Sequence, residues 1–288
     1  MDALKIYREL QKIFIRNVQG AEVTADIRMI SEESLKFLTK LKRTDLISLV
    51  PDKKYFAFQN HGKNGKLSRA VNSDLFLGHI DYWDDFYGIL DSNKKFPKNI
   101  IDEINQLIYT IAISFCCVID LIKEGDQKTP GTFFEYLIGH LFAKRLKINP
   151  VRSLPVLNMD LDTQLPTDFV FNLGVNKAKF HLPIKTSTRE RVIQVWAHQR
   201  VLDGVYGTGR FLGTPVILAE TKSNKRKREV IEICLPDQWR LYQMHIAQLK
   251  RIYYLDIPQN YNELNQVFPP INVKTFGEFF FEADSLGA

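Results

Sequence analysis

The sequence predicts an α/β (α+β) fold in which a mixed sheet flanked by helices follows a mainly helical N-terminal region. Two observations carry this. Up to about Gly125 the long apolar segments repeat at helical spacing, whereas beyond it the texture changes to short β-prone runs separated by turns. Two further helical stretches interrupt those runs, giving the order helix, strand, strand, strand, helix, strand. The boundary falls in the loop Glu124 to Thr132, where Pro130-Gly131 punctuates the chain, so the sequence divides into residues 1–125 and 126–288.

Taken in order, Met1 to Val18, Ser31 to Val50 and Asn99 to Lys123 read as helices. Gln59 to Asn72, polar and containing glycine and asparagine, reads as loop. The stretch Leu107 to Ile119 is interrupted by Thr110 and Ser114 and closed by Asp120. It falls short of the roughly 20 residues that span a bilayer, so a buried helix is expected. Phe133 to Ile138 opens another helix ending near Lys147. Strands are expected at Ser153 to Leu157, Asp168 to Leu173, Lys179 to Thr186, Thr214 to Glu220, Glu229 to Leu235 and Arg251 to Leu255. Helices are expected from about Thr188 to Asp203 and from Asp237 to Leu249.

The 288 residues, 45% hydrophobic and 25% charged, have the make-up of a soluble globular protein and argue against disorder. A net charge of +6 tilts the surface towards polyanions without identifying one. Cys116, Cys117 and Cys234 are odd in number and lack CxxC or Cys/His spacing, which argues against a disulfide framework and against zinc. They fit a reducing cytosol. The N-terminus MDALKIYRELQKIF carries charges throughout, unlike the basic head and apolar core of an export signal, so a cytoplasmic location is the expectation.

Asp168 opens an apolar strand directly after Pro166-Thr167, and Lys185 closes the next strand, beyond the turn Gly174-Val175-Asn176. In a hairpin of this length the start of one strand faces the end of the other, so the two side chains are expected to be neighbours. Hydrolysing a phosphodiester with a metal calls for such a set: carboxylates hold a divalent cation near the phosphate, and a lysine steadies the attacking water and the developing charge. Hard oxygen ligands favour magnesium.

From Gly131 to Leu255 the chain resembles the PD-(D/E)XK nucleases, and most closely the type II restriction endonucleases. Glu135 lies on a helix, Asp168 opens a strand, Lys185 closes the next, and Thr186-Ser187-Thr188-Arg189-Glu190-Arg191 leads into Val192 to Gln199. The predicted element order is the core order of that fold. The resemblance implies Mg2+-dependent, site-specific double-strand cleavage of DNA with 5′-phosphate products, catalysed by Asp168 and Lys185. Glu135 would support a second metal or orient water. A Glu or Gln from the helix after the lysine would face the site, a place that Glu190 and Gln194 fill if they lie four apart on one helical face. A homodimer on a palindromic sequence is also implied, as is a companion DNA methyltransferase of the same bacterial or archaeal system, a genetic and not a physical partner.

One position departs from the pattern. An acid usually stands two residues before the lysine, on the lysine's own face of the strand, and this chain has Pro183 there. The missing acid would come from the following helix, with Glu190 the first candidate and Gln194 and Gln199 weaker ones, since an amide offers only a neutral oxygen. Asp168, Glu135 and Glu190 are therefore the expected metal ligands. Arg189 and Arg191 offer forked donors to DNA phosphates. Lys222, Lys225, Arg226, Lys227 and Arg228 form a basic hairpin loop expected to lie along the backbone of the DNA. Residues 1–125 are expected to serve dimerisation or DNA contact. The plainer reading of each charged group is a solvated side chain. His181 and His198 read as satisfied structural histidines and Trp196 as core. Two other functions stay open: a structure-specific repair or recombination nuclease, and a non-catalytic DNA-binding protein on a decayed nuclease fold, which Pro183 favours.

Overall fold

Helix α1 (Asp2–Arg16) opens the structure, a computed structural model that describes residues 2–61, 65–92, 95–123, 125–157 and 162–286. The side chains at 157, 162 and 190 lie outside the described residues. Ala3, Tyr7, Leu10 and Phe14, spaced three to four apart, form the buried stripe of α1 and pack on α2 (Ala21–Leu38). The helix expected over Ser31 to Val50 thus begins earlier and stops at Leu38. Lys42–Ser48 is instead a strand, β1, paired with β2 (Tyr55–Gln59) in the register Thr44↔Ala57. The expected loop Gln59 to Asn72 is likewise bounded by strand at both ends, because Gln59 closes β2 and Val71–Asn72 is β3. Those pairings are long-range, so local periodicity could not register them.

Helix α3 (Trp83–Asp91), not foreseen, precedes α4 (Ile101–Ile122) and α5 (Lys128–Leu146). By length and composition alone α4 is able to cross a membrane, but 89% of its apolar window is buried inside the protein. It is a core helix, as its polar interruptions suggested. Along α5, Gly139 lets the sheet approach closely: a Cβ there would stand 2.6 Å from the ring of Phe169.

Then follow β4 (Val151–Leu157), β5 (Asp162–Asn172), β6 (Lys179–Leu182), β7 (Ile184–Lys185), α6 (Val192–Tyr206), β8 (Phe211–Gly213) and β9 (Val216–Ile217). The chain ends with β10 (Thr221–Asn224), β11 (Glu229–Glu232), α7 (Pro236–His245), β12 (Ile252–Tyr254), β13 (Val273–Thr275) and α8 (Phe279–Leu286). The expected strand Lys179 to Thr186 is split at Pro183, which has no backbone N–H to give. Its register against the parallel neighbour nevertheless runs on without a slip, from His181↔Gly213 in β8 to Ile184↔Val216 in β9. The orders β4-β5-β6-β8 and β7-β9-β12-β13 therefore belong to one curled mixed sheet, antiparallel at β4, β5 and β6 and parallel beyond. A separate sheet runs β10-β11-β1-β2-β3.

Strand alternation sorts the central hairpin into two faces. Phe169, Phe171, Phe180, Leu182 and Ile184 join the main core with α4 and α5, each ring or branched chain contributing roughly 1.5–3 kcal/mol on burial. Asp168, His181, Pro183 and Lys185 take the other face and line one pocket. The two sheets are tied by a buried ionic cluster. Lys53 Nζ donates to Glu232 Oε1 at 2.6 Å, Asp256 Oδ1 at 2.7 Å and the Ile257 carbonyl at 2.5 Å, and Asn72 Nδ2 also donates to Asp256.

Candidate active site

Asp168 and Lys185 meet across the hairpin as the strand arithmetic requires. Asp168 Oδ2 accepts from the backbone N–H of Ile184 at 2.7 Å and from Lys185 Nζ at 2.9 Å. Ile184 can spend its N–H on a side chain because β5 and β6 stop pairing at Phe169↔Leu182, just before Pro183. Both bonds fall on Oδ2, and among the described residues nothing bonds Oδ1.

Glu135 comes from α5, on the adjoining edge of the site. Burial pushes its carboxyl up to about 7, and the charge of Asp168 pushes the same way against the opposing pull of Lys185 and Arg152. Arg152, whose guanidinium lies over the Phe169 ring, stands 3.8 Å from Glu135 Oε2. Among the described residues no group of three or more His, Cys, Asp or Glu is gathered for a metal. Two carboxylates are nevertheless what a magnesium ion commonly takes from protein, its remaining positions going to water and substrate phosphate. Asp168 Oδ1, without a partner among the described residues, and Glu135, pushed towards its neutral form by burial and by the like charge of Asp168, fit that role.

The pocket has a volume of about 150 Å³ and is lined by Pro166, Thr167, Asp168, His181, Pro183, Lys185, Gln194, Val195 and His198. Gln194 thus reaches the site, exposed, from the first turn of α6. Glu190 belongs to a short 3-10 turn, Arg189–Arg191, and α6 begins only at Val192, so Glu190 stands ahead of the helix that carries Gln194. The Glu190 side chain lies outside the described residues. Gln199 is buried and bonded within the protein, to His181, Asp203 and the Phe211 carbonyl. Trp196 is core, donating to Gln243. The histidines depart from expectation. His181 Nε2 is buried without a partner, and half-buried His198 lines the pocket. Burial pushes His181 down to about 4 and lowers His198 too.

A second unforeseen residue is Glu220, 1% exposed. Its carboxylate accepts from Ser187 Oγ at 2.6 Å, from the Thr188 N–H at 2.9 and 3.1 Å, from Tyr254 OH at 3.0 Å, and from Thr188 Oγ1. It anchors the loop that leaves Lys185. No spacing rule reveals it, since its partners lie a strand away. His181, in contrast, shares the period-two face of Lys185 and was open to detection.

That loop is also where the basic residues collect. Arg189, Arg191, Lys222 and Lys225 line one cleft with Thr186, Ser187 and Thr188, joined by Arg69, which is held by Asp120 through bonds of 2.8 and 2.9 Å. Lys222, Lys225 and Arg226 also line a hollow on the β10–β11 hairpin, and Lys227 and Arg228 are exposed at its turn.

No family profile and no curated protein matches the sequence. Solved structures do. The type IIP restriction endonuclease Kpn2I matches over 100% of both chains with a TM-score of 0.83 and 27% identity. The restriction endonuclease PspGI, solved with substrate DNA, covers 70% of this chain and 87% of its own with a TM-score of 0.46 and 12% identity. On the full-length likeness to Kpn2I, the chain has the restriction-endonuclease fold and is similar to a type II enzyme of that fold.

Proposed function

We propose that this protein is a type II restriction endonuclease that makes site-specific double-strand cuts in DNA by Mg2+-dependent hydrolysis, leaving 5′-phosphate ends. The observation that carries the reading is the Asp168–Lys185 pair, set in a polar pocket beside a basic cleft. Asp168, through Oδ1, and Glu135 would hold the cation, which when bound supplies positive charge at the scissile phosphate. Lys185 spends one of its three ammonium hydrogens on Asp168 and keeps the others for a phosphate oxygen or the attacking water. Arg189, Arg191, Lys222 and Lys225 would seat the DNA backbone in the cleft, with Arg226, Lys227 and Arg228 extending the charged edge. A homodimer, with residues 1–125 contributing contacts, would place one such site on each strand. A companion methyltransferase would protect host DNA in the cytoplasm.

Incubating the purified protein with phage DNA and Mg2+ tests this: discrete fragments are expected. Asp168→Ala should lower cleavage at least about 100-fold while leaving DNA affinity within a few-fold, because the basic cleft is untouched. Wild-type cutting by Asp168→Ala would refute the site. Cleavage confined to branched DNA would favour a repair enzyme, and binding without cleavage a decayed nuclease.

A further inference from the structure

Along the broken strand His181, Pro183 and Lys185 point to one side, into the pocket that Asp168 shares. His181 is fully buried, and its surroundings fix which ring nitrogen carries the proton. The Gln199 carboxamide donates through Nε2 to the Phe211 carbonyl at 2.9 Å and to Asp203 Oδ1 at 3.0 Å. Its oxygen is therefore the end turned to His181 Nδ1, at 3.3 Å. An amide oxygen has no hydrogen to give, so Nδ1 holds the ring proton and Nε2 keeps a bare lone pair. Gly213 secures the arrangement, because a Cβ there would stand 2.8 Å from Gln199 Oε1 and 2.6 Å from Leu249 Cδ2.

Nε2 is thus an acceptor, buried and with no hydrogen-bond partner among the described residues. Such an atom calls for an explanation, and His181 lies on the pocket-lining face of the strand. At about 150 Å³ the pocket has room for a few water molecules. An unsatisfied acceptor on the face that carries Asp168 and Lys185 defines a place for one of them.

We propose that His181 is a catalytic residue whose Nε2 accepts a hydrogen bond from the attacking water and holds it beside Asp168 and Lys185. The inference rests on the nuclease reading. In the step it serves, the water oxygen bonds to phosphorus as the bond from phosphorus to the 3′ oxygen breaks. The leaving oxygen takes a proton from solvent, and the proton lost by the water passes to solvent. His181 does from the strand the water-orienting work that Pro183 cannot do.

The test is a pair of substitutions assayed on a duplex carrying the cleavage site. An asparagine amide overlies Nδ1, whereas a glutamine amide reaches the place of Nε2. His181→Asn should lose cleavage about 100-fold or more at unchanged DNA affinity, and His181→Gln should stay within about tenfold of wild type. A purely structural role in the Gln199 bond requires the reverse order, and that result overturns the proposal. The second measurement needs no variant and no metal. In protein labelled with 15N-histidine, long-range 1H–15N correlation should report His181 protonated at Nδ1; protonation at Nε2 overturns the proposal whatever the variants do to folding. If His181→Asn cuts at full rate while Asp168→Ala is inactive, His181 is excluded and the nuclease reading stands. A wild-type protein that never cuts DNA removes the reading itself, and this proposal with it.

Discussion

Replacing Glu220 by glutamine keeps its shape and removes its charge, and the structure allows the cost to be worked out. The carboxylate is 1% exposed and faces only donors: two hydroxyls and an N–H from the loop after Lys185, and the Tyr254 hydroxyl. A bond to a charged group is worth about 1.5–3 kcal/mol against roughly 1 for a neutral pair. An amide also turns one acceptor into a donor, which the Ser187, Thr188 and Tyr254 hydroxyls must rotate to meet. A loss of about 3 kcal/mol follows, or roughly 5 °C in melting temperature for a chain of this size. The loop carries the link from Lys185 to Arg189, so looser anchoring should also slow cleavage about 10- to 100-fold, the penalty that misplacement by about 1 Å brings. Differential scanning calorimetry and single-turnover cleavage measure the two effects. A Glu220→Gln protein that melts within about 1 °C of wild type and cuts at the wild-type rate would refute the anchoring role.

Two further outcomes concern stability. Lys53→Met should cost about 3–5 kcal/mol in urea unfolding, because it leaves Glu232 and Asp256 buried side by side without their cation; a loss below about 1 kcal/mol would show the cluster to be dispensable. His140, which donates through Nδ1 to the Val18 carbonyl at 2.6 Å and lies 3.0 Å from Thr24 Oγ1, is pushed down to about 4 by burial. Its folded value lies below the unfolded one of about 6.5, so its contribution is full above that pH and is lost as pH falls towards 4. Between pH 7 and 5 that amounts to about 2 kcal/mol, read as the difference in unfolding free energy between wild type and His140→Gln. A difference that stays flat across that range would contradict it.

The parts of this fold that the sequence showed are those governed by near neighbours. The apolar period of α4 and the hairpin joining β5 to β6 are written locally, and the hairpin's length alone brought Asp168 to Lys185. The N-terminal sheet was hidden because β1 finds its parallel partner β11 far along the chain, at Ile47↔Glu229, while its own residues continue the apolar spacing of α2. Glu190 was placed on a helix because Thr188 to Asp203 is helical in pattern. The Glu220 carboxylate, which takes the backbone N–H of Thr188, belongs to a different strand end, and no local rule announces it.

Pro183 explains more of the site than a missing ligand. With no N–H at that position, pairing with β5 ends at Leu182, and the next N–H, of Ile184, turns to the Asp168 side chain. The same proline passes its carbonyl to Val216 at 2.9 Å, so the strand continues on β9 while parting from β5. Asp168 is thereby fixed through Oδ2 by backbone and by Lys185, which largely cancels its charge. Glu135, held towards neutrality, adds little negative charge of its own. On the proposed nuclease reading, a site built this way would offer a cation few charges before DNA arrives, and the phosphate itself would supply the rest. Such dependence would suit an enzyme that should be idle until its substrate is seated, and it would leave the handling of water to neutral groups such as His181, which presents a buried lone pair without a partner among the described residues.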